Sequence, residues 1–156
     1  MKNTSLCYIE NDGKYLMMHR TKNKSDGSFD KWIGIGGKFE LGESPDECMK
    51  REVLEETGLK LEKYSYRGIV TFVSDIYETE YMHLFTSNCF TGNISDTCEE
   101  GELVWVEKED LYKLAMWEGD KIFLNLIASE NQPFFSLKLE YRGDNLQNAY
   151  LNGVKM

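Results

Sequence analysis

Three glutamates carry the first chemical signal in this sequence. Glu52, Glu55 and Glu56 stand at i, i+3 and i+4, so a helix would place all three carboxylates on one face. Like charges at that spacing weaken a helix unless something offsets them. Arg51, four residues before Glu55 and four after Glu47, is one candidate partner. A divalent cation is the other. An all-oxygen ligand set suits a hard ion such as Mg2+, which keeps some water and completes its shell with substrate phosphate. Three glutamates alone also describe a solvated acidic face, so the surrounding sequence has to decide. Gly36-Gly37 precedes a loop, residues 38–43, that leads into the helix. Bends at glycine can turn backbone carbonyls toward a metal, and Lys38 can reach a phosphate.

The helix that must hold these groups is well marked. Ser44 is an N-cap, Pro45 fits the first helical position and Glu47 completes a capping box. Gly58 is the stop signal, so a helix is predicted over residues 44–57. Met49, Val53 and Leu54 fall on a separate arc and are expected to face the core. Upstream, residues 6–9 and 15–18 read as strands joined by the turn Asn11-Asp12-Gly13. Residues 21–29 are polar and predict a surface loop. Residues 31–39 alternate glycine with apolar side chains, which predicts close approach of backbone or ligand. Downstream, residues 66–73, 81–90 and 103–106 read as strands. A second helix is predicted over 118–129, with Ile122, Phe123, Leu126 and Ile127 on one face. Residues 134–141 and 146–151, around Arg142-Gly143-Asp144-Asn145, predict a terminal hairpin. Strands interleaved with two helices predict a layered α/β (α+β) fold.

Composition narrows the partners. The chain has 156 residues, a length that predicts a single domain over 1–156. A hydrophobic fraction of 41% with 13% aromatic residues supports a packed core and excludes general disorder. Lys plus Arg is 18 against 27 Asp plus Glu, a net charge of −9. That excludes a general binder of nucleic-acid polymers, which need a basic face. A phosphate partner would then need a metal cation to mediate. The sequence lacks a run of eighteen apolar residues, so a membrane span is not expected. The start is not expected to be a signal peptide. Cys7, Cys48, Cys89 and Cys98 form no CxxC pair, which predicts reduced thiols in a cytoplasm. His19 and His83 lie far apart in alternating apolar segments, so packing or surface roles are expected rather than metal ligation.

One resemblance is specific. Gly37, five residues, Glu43, seven residues, then Arg51-Glu52-Val53-Leu54-Glu55-Glu56-Thr57-Gly58-Leu59 matches the Nudix box at every defined position. The box covers 23 residues, from Gly37 to Leu59. The chain therefore resembles the Nudix hydrolases, which cleave nucleoside diphosphates linked to another group. The resemblance implies an α/β/α sandwich with a mixed sheet between helices, the box as loop-helix-loop, and a C-terminal hairpin. It implies Mg2+, or Mn2+, held by Glu52, Glu55 and Glu56 with help from the Gly36 carbonyl. Arg51 and Glu43 look like supporting ion-pair residues. A further acid from a later loop is implied. The run Cys98-Glu99-Glu100-Gly101-Glu102 offers candidates, with Glu100 favoured, and it also fits a plain charged turn. The catalytic set implied is thus Glu52, Glu55, Glu56, Arg51 and Glu100.

Outside the box the chain is similar to MutT/MutX-type enzymes, which hydrolyse 8-oxo-dGTP to the monophosphate and pyrophosphate. The likeness rests on the segments 31–38, 100–106 and 117–120 and on Phe134-Phe135. It implies that Trp117 stacks on the base and Asp120 reads its edge. Trp117 also fits a core aromatic at a helix start. Lys38 and Phe72 complete the expected substrate-binding set. Ile33 stands where some of these enzymes carry Asn, and Gly119 where some carry an acid. Strict selectivity for 8-oxoguanine is therefore not implied. Tyr77, 18 residues past Leu59, keeps dinucleoside polyphosphates as an alternative substrate class. The only prolines, Pro45 and Pro133, disfavour ADP-ribose. Non-catalytic nucleotide-binding relatives usually lose box glutamates, and all are intact here. The expected partner is a nucleoside triphosphate. Monomer and homodimer both remain open.

Overall fold

Strand β1 (Lys2–Asn11) sets the architecture because its alternate side chains serve two cores. Leu6 and Tyr8 enter one apolar cluster, while Cys7 and Ile9 enter another on the opposite side. Period-two alternation in a strand buried on both faces produces this split. The computed structural model describes residues 1–25, 27–94, 97, 98 and 100–156, with only the backbone of Thr97 and Cys98. Asp26 of the expected surface loop and the candidate acid Glu99 lie outside the described residues, as does the Cys98 thiol.

Strand β2 (Lys14–Arg20) follows β1 through the expected turn, with Glu10 opposite Tyr15. Two short strands come next, β3 (Trp32–Ile33) on β2 and β4 (Ile35–Lys38) on β1. Helix α1 covers Pro45–Thr57. Then come β5 (Lys60–Ser74), β6 (Glu80–Thr91), β7 (Thr97–Cys98) and β8 (Gly101–Glu107). A 3-10 turn at Lys108–Lys113 leads to helix α2 (Glu118–Ile127). Strands β9 (Phe135–Arg142), β10 (Asn145–Leu151) and β11 (Val154–Lys155) end the chain. Pairing runs β11-β10-β9-β5-β6-β1-β2-β8-β7. The β1–β6 and β5–β9 pairs are parallel and the others antiparallel, so the sheet is mixed.

The two helices cover opposite faces of this sheet. Met49 and Val53 of α1 pack with Ile35, Leu59 and Phe85. Phe123, Leu124 and Ile127 of α2 pack with Tyr8, Leu84 and Leu137. This is the α/β/α arrangement the sequence implied. One expected core residue is misplaced: Leu54 is 54% exposed. The buried side of α1 runs instead through Cys48, Met49, Val53 and Thr57, and Leu54 lies one step of about 100° past it. Cys7, Cys48 and Cys89 are free thiols. His19 stacks on Trp32 at 4.5 Å and meets Asp30. His83 contacts Tyr66 and Asn3. Both histidines thus pack rather than converge. Among the described residues, no helix is long and apolar enough to cross a membrane.

Strand β4 lies so close to β1 that a side chain at Gly36 cannot fit. A Cβ there would stand 1.8 Å from the Ser5 carbonyl oxygen. Gly36→Ala must push β4 away from β1. We expect a loss of about 3 kcal/mol, at the upper end of overpacking costs, read by denaturant unfolding of the metal-free protein. Wild-type stability would refute the packing described.

Candidate active site

The start of α1 is fixed on all sides. Ser44 Oγ accepts from the Glu47 amide at 3.1 Å, and Glu47 Oε1 accepts from the Ser44 amide at 3.0 Å. Ser5 Oγ of β1 donates to the Pro45 carbonyl at 2.9 Å. Gly58 closes the helix, donating to the Leu54 carbonyl. Caps of this kind satisfy the orphan groups of a helix end. They set the direction of the glutamate-bearing face against β4.

Arg51 ties that face to the preceding loop. Its Nε and Nη2 donate to both oxygens of Glu43, at 2.7 and 2.9 Å. Nη2 also donates to the Lys38 carbonyl at 3.0 Å. Nη1 donates to Glu52 at 2.8 Å and to Glu55 at 3.2 Å. The expected brace to Glu43 and Glu55 is therefore present. Glu47, the third expected partner, is committed to the capping box. The Arg51 hydrogen bond, then the Glu40 amide, holds the Glu43 carboxyl down at about 2.

The three box glutamates occupy different surroundings. Glu55 is exposed. The Glu52 carboxylate lies on the β4 backbone: a Cβ at Gly37 would stand 2.5 Å from its carboxyl carbon. Burial pushes its pKa up, against the pull of Arg51. Glu56 is the deepest. Burial, then Glu100 and Glu52, pushes its carboxyl up to about 8, while Arg20 and a hydrogen bond from the Gly36 amide oppose. Glu100 pairs with Arg20 at 2.7 Å.

These residues fit a hard cation in one telling respect. Glu56 Oε2 is buried without a hydrogen-bond partner. An orphaned carboxylate oxygen among further carboxylates is costly unless a positive charge meets it. Among the described residues, no three acidic, histidine or cysteine side chains already converge on one point. Arg51 donates to one oxygen of Glu52 and one of Glu55, which leaves each carboxylate further acceptor sites.

A second constellation lies at the start of α2. Trp117 Nε1 donates to Ser28 Oγ at 3.1 Å, Lys31 Nζ stands 4.4 Å above the ring, and Tyr141 meets it edge-on at 5.2 Å. Asp120 is 4% exposed. Burial, then Glu80, raises its carboxyl to about 8, with Lys31 opposing. A side chain at Gly119 would require Leu139 and Tyr141 to shift. Its Cβ would fall 2.4 Å from Leu139 and 2.6 Å from the Tyr141 hydroxyl, which already accepts from the Gly119 amide.

One cavity of about 730 Å³ joins the two constellations. Its lining includes Gly36, Lys38, Arg51, Glu52 and Glu100 as well as Ile33, Phe72, Trp117 and Asp120. Of the expected site residues, only Glu55, which is exposed, and Glu56, which is half-buried, are not part of its lining. Trp117 is both a partner of the core edge and a cavity wall. Sequence reasoning missed Thr4, Glu80 and Tyr141, which also line it. Nothing local marks them, because each depends on strand pairing. A second cavity, about 870 Å³, opens beside Tyr15 and Arg67 and holds none of the expected residues.

The fold and this site define a nucleotide-cleaving class. The NUDIX domain family matches residues 2–127, and the chain belongs to it. Hydrolases of this family act on nucleotides and generally use divalent metals such as Mg2+. The chain is 30% identical to the uncharacterized Nudix hydrolase YvcI of Bacillus subtilis (strain 168), over 78% of this chain and 75% of that protein. It is 27% identical to the oxidized purine nucleoside triphosphate hydrolase of Danio rerio, over 82% and 80% of the two chains. The crystal structure of a MutT protein from Bacillus halodurans shares the fold with a TM-score of 0.86 at 24% identity, covering 97% of this chain and 98% of that one.

Two outcomes follow for the metal-free protein. Arg51→Ala removes the fork that joins loop and helix and should cost about 2 kcal/mol. Thermal melting in chelator tests this, and an unchanged melt would refute the brace. For Glu56 the folded pKa is raised, so the native state holds the extra proton between about 4.5 and about 8. Stability therefore falls as pH rises through that window. Glu56→Gln should flatten this slope by up to about 1.4 kcal/mol per pH unit, the linkage of one proton. Denaturant titrations of both proteins at pH 5, 6.5 and 8 read the difference.

Proposed function

We propose that this Nudix hydrolase converts purine nucleoside triphosphates to the monophosphate and pyrophosphate, with 8-oxo-dGTP among its substrates. The supporting observation is that one cavity is lined by Trp117 and Asp120 and also by Glu52 and Glu100. A base at one end puts its phosphates at the other. The similarity to the Danio rerio enzyme, named for oxidized purine nucleoside triphosphates, agrees with this reading.

Glu52, Glu55, Glu56 and Glu100, with the Gly36 carbonyl, are the residues that would hold Mg2+ or Mn2+. A bound ion supplies charge neutralisation at phosphate oxygens and a more acidic water. The chain's own groups do the rest. Lys38 meets phosphate at the cavity wall. Arg51 orients Glu52 and Glu55. Glu55, which is exposed, accepts a proton from the attacking water. The water oxygen forms the new P–O bond as the anhydride bond breaks and pyrophosphate leaves. Trp117 and Phe72 flank the base, and stacking of this kind is worth about 1–3 kcal/mol per base. Asp120, protonated at neutral pH, donates its O–H to a keto oxygen of the base. Ile33 adds no polar contact, so preference for the oxidised base is real but incomplete.

Product analysis with 8-oxo-dGTP, dGTP, diadenosine tetraphosphate and ADP-ribose in Mg2+ tests this. Monophosphate and pyrophosphate should appear from the first two, faster from 8-oxo-dGTP. Glu55→Gln and Glu56→Gln should each lower kcat about a hundredfold or more, the scale of a lost transition-state contact. Preferred cleavage of diadenosine tetraphosphate would instead favour the rim residue Tyr77 as a substrate contact. Binding without turnover would mark a nucleotide-binding module.

A further inference from the structure

Glu80 opens β6 directly beside β1, in parallel register with Lys2. Its Oε2 accepts from Thr4 Oγ1 at 2.6 Å, and Lys2 Nζ stands 3.5 Å from Oε1. A hydroxyl donor and a cation are partners that suit an ionised carboxylate. Glu80 lines the same cavity as Phe72, Trp117 and Asp120. Two carboxyl groups, from β6 and α2, therefore face one aromatic slot.

We propose that Glu80 is a specificity-determining residue that, together with Asp120, selects a guanine-type base edge. This rests on the reading that the cavity takes a purine nucleotide. A guanine edge places two N–H donors, on N1 and the 2-amino group, beside a keto oxygen. A carboxylate has about four acceptor sites, and Thr4 takes one of Glu80's. Glu80 can thus receive both N–H groups side by side, the strong bidentate form of a charge-assisted contact. Asp120, next to it and in its acid form, meets the keto oxygen. Hypoxanthine has only one of the two N–H donors and adenine lacks the keto oxygen. Either base leaves a buried partner unsatisfied, which is how a polar site rejects an analogue. The division of labour follows from position: Lys2 and Thr4 stand at Glu80, while Asp120 is 4% exposed.

The test measures kcat/KM for dGTP, dITP and dATP at saturating Mg2+ in wild type and Glu80→Gln. The amide keeps an oxygen for Thr4 but turns an NH2 toward the base donors. The dGTP/dATP and dGTP/dITP ratios should each fall about tenfold or more, with the Mg2+ requirement unchanged. Glu80→Asp, which keeps the charge but draws it back, should give an intermediate loss and covers a poorly folding Gln variant.

A pH profile adds a readout that a merely structural residue would not move. The titratable groups facing Asp120 are Glu80 from β6, Lys31 before β3, Tyr8 from β1 and Tyr141 from β9. Activity on dGTP should fall as pH rises through about 8, and Glu80→Gln should move that fall to lower pH. Ratios within twofold of wild type in both variants, with only the melting temperature changed, would overturn the assignment. Trp117→Ala separates the two layers of the argument. An unchanged KM for all three nucleotides there means that the base does not enter this cavity, and both readings fall. A raised KM with unmoved Glu80 ratios sinks Glu80 alone.

Discussion

The guanidinium of Arg51 is the contact on which the rest of the site depends. The segment 38–43 has little secondary structure of its own, and α1 carries three acids on one side. One planar cation solves both problems. Its fork meets both oxygens of Glu43 while Nη1 reaches Glu52 and Glu55. A lysine could offer the charge but not the paired geometry. The loop is thereby held over the helix, and the repulsion between the carboxylates is offset before any metal arrives. The same contact explains why Lys38 sits at the cavity wall, since its carbonyl is a further Arg51 acceptor.

Two carboxyls in this protein are pushed up to about 8, Glu56 and Asp120, and burial leads in both. Their neighbours give them different uses. Glu56 lies among further acids and has an unpaired oxygen, a setting that attracts a cation. Asp120 is buried with Glu80, Lys31 and Tyr141 nearby, a setting that retains a proton. Environment rather than residue type separates these two acids, as it does for pairs of titratable groups with unlike surroundings in general.

The parts of this fold legible in the sequence are those fixed by local rules. The capping box, the Asn11-Asp12-Gly13 turn and the tail hairpin are all where short-range signals put them. The box glutamates, Arg51 and Glu43 are legible for the same reason, since they share one helix and its entry loop. Leu54 shows the limit. Its apolar side chain fits a helix arc, but the core wraps the other flank of α1 through Cys48 and Thr57. The 3-10 turn at Lys108–Lys113 and the two-residue strands carry too few residues for any period to emerge. Glu80, Thr4 and Tyr141 were invisible for a different reason. Each reaches the cavity through a pairing between distant strands, β1 with β6 or β5 with β9, and no spacing along the chain encodes that.

The parallel docking of β9 on β5 has an evolutionary corollary. Tyr141 touches Trp117 and Gly119, yet it lies beyond residue 127, where the NUDIX domain match ends. Part of the cavity wall is thus supplied by the terminal hairpin, outside the matched region. Substitutions in residues 135–151 can reshape what the slot admits while the helix that bears the carboxylates stays intact. A lineage can in this way try new substrates without first rebuilding its machinery for breaking them.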